Sequence, residues 1–203
     1  MKKWIFFDLG STLIDETEAY DRRAREMIIG TAISFEEFDN KRIELAKKGF
    51  DGNSEAINYF RLKKTPWHSE SETLYPGTKE ALIYLKNKGY HLGIIANQNP
   101  GTSERLAGWD LRDYFDVIAA SAELGVAKPD KMIFEKAFAM ASCTPADSIM
   151  VGDRLDNDII PAKSLGMTTV WVRKGLSGYQ DPSLGIGIAD YLIDDIADIR
   201  NIL

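Results

Sequence analysis

The chain has 203 residues, 44% hydrophobic and 28% charged, with a formal net charge of −6. That balance fits an ordinary globular chain with a real core, as one large domain or one domain with an insertion. The acidic excess and the lack of any basic run argue against nucleic acid or an anionic membrane surface as partner. Cys143 is the only cysteine, so no internal disulfide can form, and a cytoplasmic setting is expected.

The chain opens with Lys2-Lys3 and an apolar run, Trp4-Ile5-Phe6-Phe7, that ends in Asp8. The charge order is that of a signal peptide, but the run is far too short for one. No segment approaches the length of a membrane span. Trp4 to Phe7 instead predicts a buried strand, with Leu9-Gly10-Ser11-Thr12-Leu13 as the turn that follows Asp8. Small residues in such a turn let backbone N–H groups and a hydroxyl approach an anion.

Residues 16–29, 35–48 and 53–62 carry helical periodicity, and Ser34 with Glu37 predicts a capping box for the second of these helices. No strand is expected between Asp15 and about Leu74. Phe35, Phe38, Phe50, Tyr59 and Phe60 are expected to pack together as the core of this helical segment.

Beyond Tyr75-Pro76-Gly77 the pattern changes to alternation. Strands are expected at residues 91–96, 115–119, 148–151, 168–172 and 191–193. Helices are expected at 78–88, 131–141 and 157–165, with Gly89 and Gly166 past two of their ends. Such alternation predicts an α/β fold: a Rossmann-like, mainly parallel sheet with helices on both faces. The domain reading is a core of residues 1–14 and 75–203, with a helical cap at 15–74.

Polar residues stand at four strand ends: Asp8, Asn97, Lys128 in Gly125-Val126-Ala127-Lys128-Pro129-Asp130, and Asp153 with Asp158 in Gly152-Asp153-Arg154-Leu155-Asp156-Asn157-Asp158. In a parallel sheet these ends share one edge, where open α/β sheets place their sites. Converging carboxylates repel unless a cation lies between them, and hard oxygen donors suit magnesium. With a lysine added, such a site suits phosphoryl transfer, and Asp8 is the candidate nucleophile. Taken singly, Arg154 and Arg105 read as surface cations, Asp156 as solvent-exposed, and His68 and His91 as structural.

These motifs, in this order, resemble those of the haloacid dehalogenase superfamily, in its branch with a helical cap after the first motif. Phe6 to Leu13 resembles the first motif, Ile94 to Asn97 the second, Gly125 to Asp130 the third and Val151 to Asp158 the fourth. The resemblance implies a magnesium-dependent phosphatase acting on a small phosphorylated metabolite. It makes Asp8 the nucleophile and a magnesium ligand, with Asp153, Asp158 and the Gly10 carbonyl completing the metal site. It gives Lys128 to the charge of Asp8 and the phosphate, and has Asn97 bind the phosphate or orient Asp8; Ser11 and Thr12 are further phosphate-binding candidates.

The chain departs from the family pattern twice. Gly10 stands where the phosphatases carry an acid–base aspartate, and Ala96 where they carry serine or threonine. General acid–base catalysis is worth roughly 10²–10⁴ in rate, and a single oxyanion donor roughly 10²–10³. Alkyl phosphates are therefore expected to be poorer substrates than acyl or aryl phosphates. Two other functions stay open. One is a non-catalytic phosphate- and magnesium-binding protein. The other is a hydrolase of C–X or phosphonate bonds, the latter needing a Schiff-base lysine such as Lys41, Lys47, Lys48, Lys63 or Lys64. Oligomeric state is left open.

Overall fold

A computed structural model describes residues 3–203. Met1 and Lys2, and with them the start of the expected 1–14 segment, lie outside the described residues. In chain order the elements are β1 (Trp4–Phe7), β2 (Ile14–Asp15), α1 (Thr17–Met27), α2 (Phe35–Lys47), α3 (Gly52–Tyr59) and β3 (Thr73–Leu74). There follow α4 (Thr78–Asn87), β4 (His91–Ala96), α5 (Thr102–Gly108), β5 (Val117–Ala120), α6 (Ser121–Leu124) and α7 (Lys131–Ala141). The chain closes with β6 (Ser148–Gly152), α8 (Ile160–Leu165), β7 (Thr168–Val172) and β8 (Tyr191–Ile193).

Six strands form one sheet in the order β5-β4-β1-β6-β7-β8, every neighbouring pair parallel. The order reverses between β1 and β6, which makes that boundary the topological switch point where ligands of such sheets bind. Strand β1 explains its own central place. Its side chains alternate, so Ile5 and Phe7 enter the core on one face while Trp4 and Phe6 enter the core on the other. All four are buried, and truncating Phe6 or Phe7 to alanine is expected to cost about 3–5 kcal/mol.

Side chains of the kind that favour helix starts begin the helices. Ser34 Oγ accepts from Glu37 N (3.1 Å), Asp51 Oδ1 from Ser54 N (3.1 Å) and Asp130 Oδ1 from Met132 N (2.9 Å).

Four sequence expectations change. The 15–74 segment is not strand-free at its borders, because β2 and β3 pair antiparallel and tie its entry to its exit. Helix α5 was not anticipated, since seven residues with only Thr102 and Leu106 buried carry too little periodicity. The helix expected at 157–165 begins two residues earlier and in a wider form: Leu155–Ile159 is π-helical and runs straight into α8 at Ile160. Finally, Phe38 is buried with Phe35 and Phe60 packed around it, but Phe50 and Tyr59 are exposed. That small cluster closes around Ala24, Met27, Ala56 and Ile57 without them.

Candidate active site

Asp8 N donates to Val151 O (2.9 Å), which fastens the first residue past β1 to the adjacent strand β6. The chain then turns at once. Leu13 N and Ile14 N both return to the Leu9 carbonyl (2.9 and 3.0 Å), and Ser11 sits at φ 54° in the left-handed region. The Gly10 carbonyl takes part in none of these turn hydrogen bonds.

The far wall comes from the end of β6. Trp171 Nε1, on β7, donates to the Asp153 carbonyl (2.7 Å) and holds that backbone in place. Asp158 folds back over the strand end, where its Oδ2 accepts from Arg154 N (2.9 Å). Gly152 is what permits this, because a Cβ there would stand 2.5 Å from the Asp158 side chain.

Lys128 joins the two walls. Its Nζ donates to Asp8 Oδ1 and to Asp158 Oδ1, both at 2.6 Å, and its side chain is fully enclosed. Asn97, at the end of β4, grips the Lys128 backbone from both sides. Its Oδ1 accepts from Lys128 N (2.7 Å) and its Nδ2 donates to Lys128 O (2.8 Å). Asn97 thus places Lys128, and it also lines the cleft beside Asp8, Gly10 and Ser11.

Carboxylate oxygens of Asp8, Asp153 and Asp158 lie within 4.8 Å of one another. Burial, opposed by Lys128 and reinforced by Asp158, pushes the Asp8 carboxyl up to about 6. Burial and then the charges of Asp158 and Asp8 push Asp153 well above the ordinary carboxylate range. Burial alone would lower Lys128, but Asp158 and Asp8 outweigh it and hold the ammonium charged. Three enclosed carboxylates around one lysine leave excess negative charge, and the donors are hard oxygens at close spacing. The residues therefore fit a magnesium ion.

The two remaining phosphate-binding candidates separate. Ser11 lines the cleft beside Asp8 and Gly10. Thr12 is fully buried, and its hydroxyl has no hydrogen-bond partner. Ala96 is wholly enclosed in the core. Arg154 is more than a surface cation. It bonds Asp51 at the start of α3 (2.8 Å) and Asp156 (2.7 Å), so it tethers the helical segment to the fourth motif. Arg105 is likewise engaged, donating to Gln98 Oε1 (2.6 Å) along the cleft.

One residue of the site was missed from sequence. Glu16, the residue before α1, is buried and shares the cleft with Asp8, Gly10 and Asp153. A Cβ built on Gly10 would lie 2.3 Å from Glu16 Oε2 and 2.7 Å from its Oε1. The Glu16 carboxyl thus occupies the volume a side chain at position 10 would need. Burial, then the charges of Asp8 and Glu72, push this carboxyl up to about 8. A signal was available: an acidic residue where the helical segment must leave the core beside Asp8. Nothing in the spacing, however, showed that its side chain turns back.

An open parallel sheet with carboxylates and a lysine gathered at its switch point defines a class, the Rossmann-like α/β proteins with an acidic centre at their strand ends. Residues 5–172 match the family model described as haloacid dehalogenase-like hydrolase, and the chain belongs to that family. A glyceraldehyde 3-phosphate phosphatase of Pyrococcus furiosus is 33% identical, the match covering 99% of this chain and 92% of that protein. One of Methanothermobacter thermautotrophicus is 30% identical, with both chains covered completely. The crystal structure of a haloacid dehalogenase-type phosphatase from Thermococcus onnurineus superposes with a TM-score of 0.69 at 27% identity, over 100% of this chain and 97% of that one.

Proposed function

We infer that this protein is a magnesium-dependent phosphatase of small phosphorylated metabolites, acting through an aspartyl-phosphate on Asp8. One observation carries the reading: Lys128 bridges Asp8 and Asp158 at 2.6 Å while Asp153 joins them in a single oxygen cluster at the switch point. Asp8 has one carboxylate oxygen on Lys128, which leaves the other to attack phosphorus. Lys128 holds positive charge between the nucleophile and the entering phosphate, where charge neutralisation is the main catalytic demand. Ser11 faces the cleft as a hydroxyl donor to the phosphoryl group, and Asn97 positions Lys128.

Asp8, Asp153, Asp158 and the Gly10 carbonyl would hold magnesium. When bound it supplies charge neutralisation for the clustered carboxylates and the phosphoryl oxygens. The 15–74 segment serves as a cap over this edge. Its Asp51 is tied to Arg154, and Tyr20 lines the same cleft. No helix among the described residues is long and apolar enough to cross a membrane. With an acidic chain and a single cysteine, the setting we propose is cytoplasmic, with neither nucleic acid nor membrane as partner.

The test is a panel of phosphorylated metabolites, with acetyl phosphate and an aryl phosphate, assayed with magnesium and with a chelator. Metal-dependent turnover that Asp8→Asn abolishes supports the reading. Phosphate and magnesium binding with no turnover of any member would replace it with the non-catalytic alternative.

A further inference from the structure

We propose that Glu16 is the general acid and base of this enzyme, reaching from the root of the helical segment into the space that a side chain at position 10 would fill. The inference rests on the phosphatase reading and adds to it the source of the proton. In this chain Asp8 is followed two residues later by a glycine, so the first motif brings no second carboxylate to the leaving group.

Three observations converge on Glu16. Its carboxylate oxygens stand 2.3 and 2.7 Å from where a Gly10 Cβ would be, closer than any real side chain at that position would allow. The space is therefore reserved for Glu16. The same cleft is lined by Asp8, Gly10, Ser11, Glu16 and Asp153, so the carboxyl faces the place where a phosphate on Asp8 must sit. Its backbone is also held. Glu16 directly follows β2, whose Asp15 pairs with Thr73 of β3, and its carbonyl accepts from Tyr20 N (2.9 Å). A buried carboxyl on a ribbon at the segment's root keeps its place even if the rest of the segment moves.

The chemistry balances in two steps. An Asp8 oxygen attacks phosphorus and the bond from phosphorus to the ester oxygen breaks. The electron pair goes to that oxygen, which takes the proton of the Glu16 carboxyl and leaves as the alcohol. The Glu16 carboxylate then takes a proton from a water whose oxygen attacks phosphorus. The bond from phosphorus to Asp8 breaks, which releases phosphate and returns both carboxyl groups to their starting forms. Such proton transfer is worth roughly 10²–10⁴ in rate.

The test compares leaving groups. Para-nitrophenyl phosphate needs little proton donation, whereas glycerol phosphate needs it fully. In Glu16→Gln, which keeps the side-chain shape, glycerol phosphate turnover should fall by about 10²–10⁴. The same variant should release nitrophenolate as a burst of about one equivalent per site and then stall, because water is no longer activated. The burst also counts folded, competent sites.

Position 10 supplies the second arm. Gly10→Asp alone should not raise activity, because its side chain meets Glu16. Gly10→Asp combined with Glu16→Ala should recover turnover of glycerol phosphate relative to Glu16→Ala alone, by at least about tenfold. Should Glu16→Gln not fold, this pair decides the matter by itself.

Glu16→Gln within twofold of the parent on glycerol phosphate would overturn the proposal while leaving the phosphatase reading intact. A parent protein that never forms a phosphoryl adduct on Asp8 with any phosphate of the panel would overturn both.

Discussion

The site has two sides that were built differently. The sheet side consists of Asp8, Lys128, Asp153 and Asp158, gathered beyond the strand ends, with Lys128 bonded to Asp8 and Asp158 and the Asp153 backbone held by Trp171. The other side, which we propose is the cap, consists of Glu16, Tyr20 and the Asp51–Arg154 pair, on or tied to the helical segment. On the sheet side, burial encloses each carboxylate, and hydrogen bonds fix Asp8 and Asp158. On the cap side, position depends on a two-stranded ribbon and on partly exposed ion pairs. Disturbing the sheet side should therefore cost chemistry and folding together. Disturbing the cap side should change access and closure, with Glu16 as the exception.

The sharpest way to break this comparison is Asp8→Asn. Loss of a covalent nucleophile is expected to lower turnover by something on the order of 10⁶, by analogy with other enzymes. Steady-state kinetics with acetyl phosphate would show it, and appreciable residual activity would move the nucleophile elsewhere.

Lys128→Met comes next. It removes the one cation between Asp8 and Asp158 and leaves buried charge unpaired, a change that typically costs about 3–5 kcal/mol. Denaturant unfolding of the metal-free protein measures it, and added magnesium should restore part of the loss.

Gly152→Ala probes the same side through packing alone. Its Cβ would press within 2.5 Å of Asp158. Overpacking of this kind costs about 1–3 kcal/mol. The same variant should weaken magnesium binding, read by titration calorimetry, since Asp158 must shift. An unchanged affinity would show that Asp158 does not need its position over the strand end.

The cap side should respond less. Asp51→Asn keeps the cap acceptor for Ser54 N and removes the charge that pairs with Arg154, and such partly exposed pairs are worth only about 0–1 kcal/mol. The expected readout is faster proteolysis within residues 35–62, with the unfolding midpoint nearly unchanged.

The smallest effect is that of pH at His68. Its Nε2 bonds Glu26 (2.8 Å) and its Nδ1 bonds Glu70 (3.2 Å), linking α1 to the segment's return. The Glu26 hydrogen bond, opposed by desolvation and aided by Glu70, raises its pKa above the ordinary imidazole value of 6.5. The folded protein thus binds this proton more tightly than the unfolded chain. The stabilisation is fully present below 6.5 and is lost as pH rises through the raised value. Protection factors across residues 65–72, corrected for the intrinsic rise of exchange with pH, should fall as pH rises above 6.5 in the parent protein and show no such fall in His68→Gln.

The same division governs what could be read before folding. The strands at His91–Ala96, Thr168–Val172 and Tyr191–Ile193 and the helix at Lys131–Ala141 were legible to the residue, because short apolar runs and helix caps are local signals. Asp8, Lys128, Asp153 and Asp158 were legible because parallel topology brings strand ends to one edge. Asn97 was found at the right edge, but only the three-dimensional register shows its amide closing on the Lys128 backbone. Phe50 and Tyr59 were read as core because composition cannot say on which side of a short helix the segment finds its partners.

The sequence by itself determined the alternation of strand and helix, the polar residues at the strand ends and the absence of a side chain at position 10. Local patterning suffices for these, because each depends on residues near one another in the chain. Only the tertiary structure decided what fills the space beside Gly10. That answer depends on how far the chain travels between Leu13 and Thr17 and on which way Glu16 turns when β2 meets β3. A glycine that reads as a missing group in one dimension is, in three, the opening that admits another carboxyl.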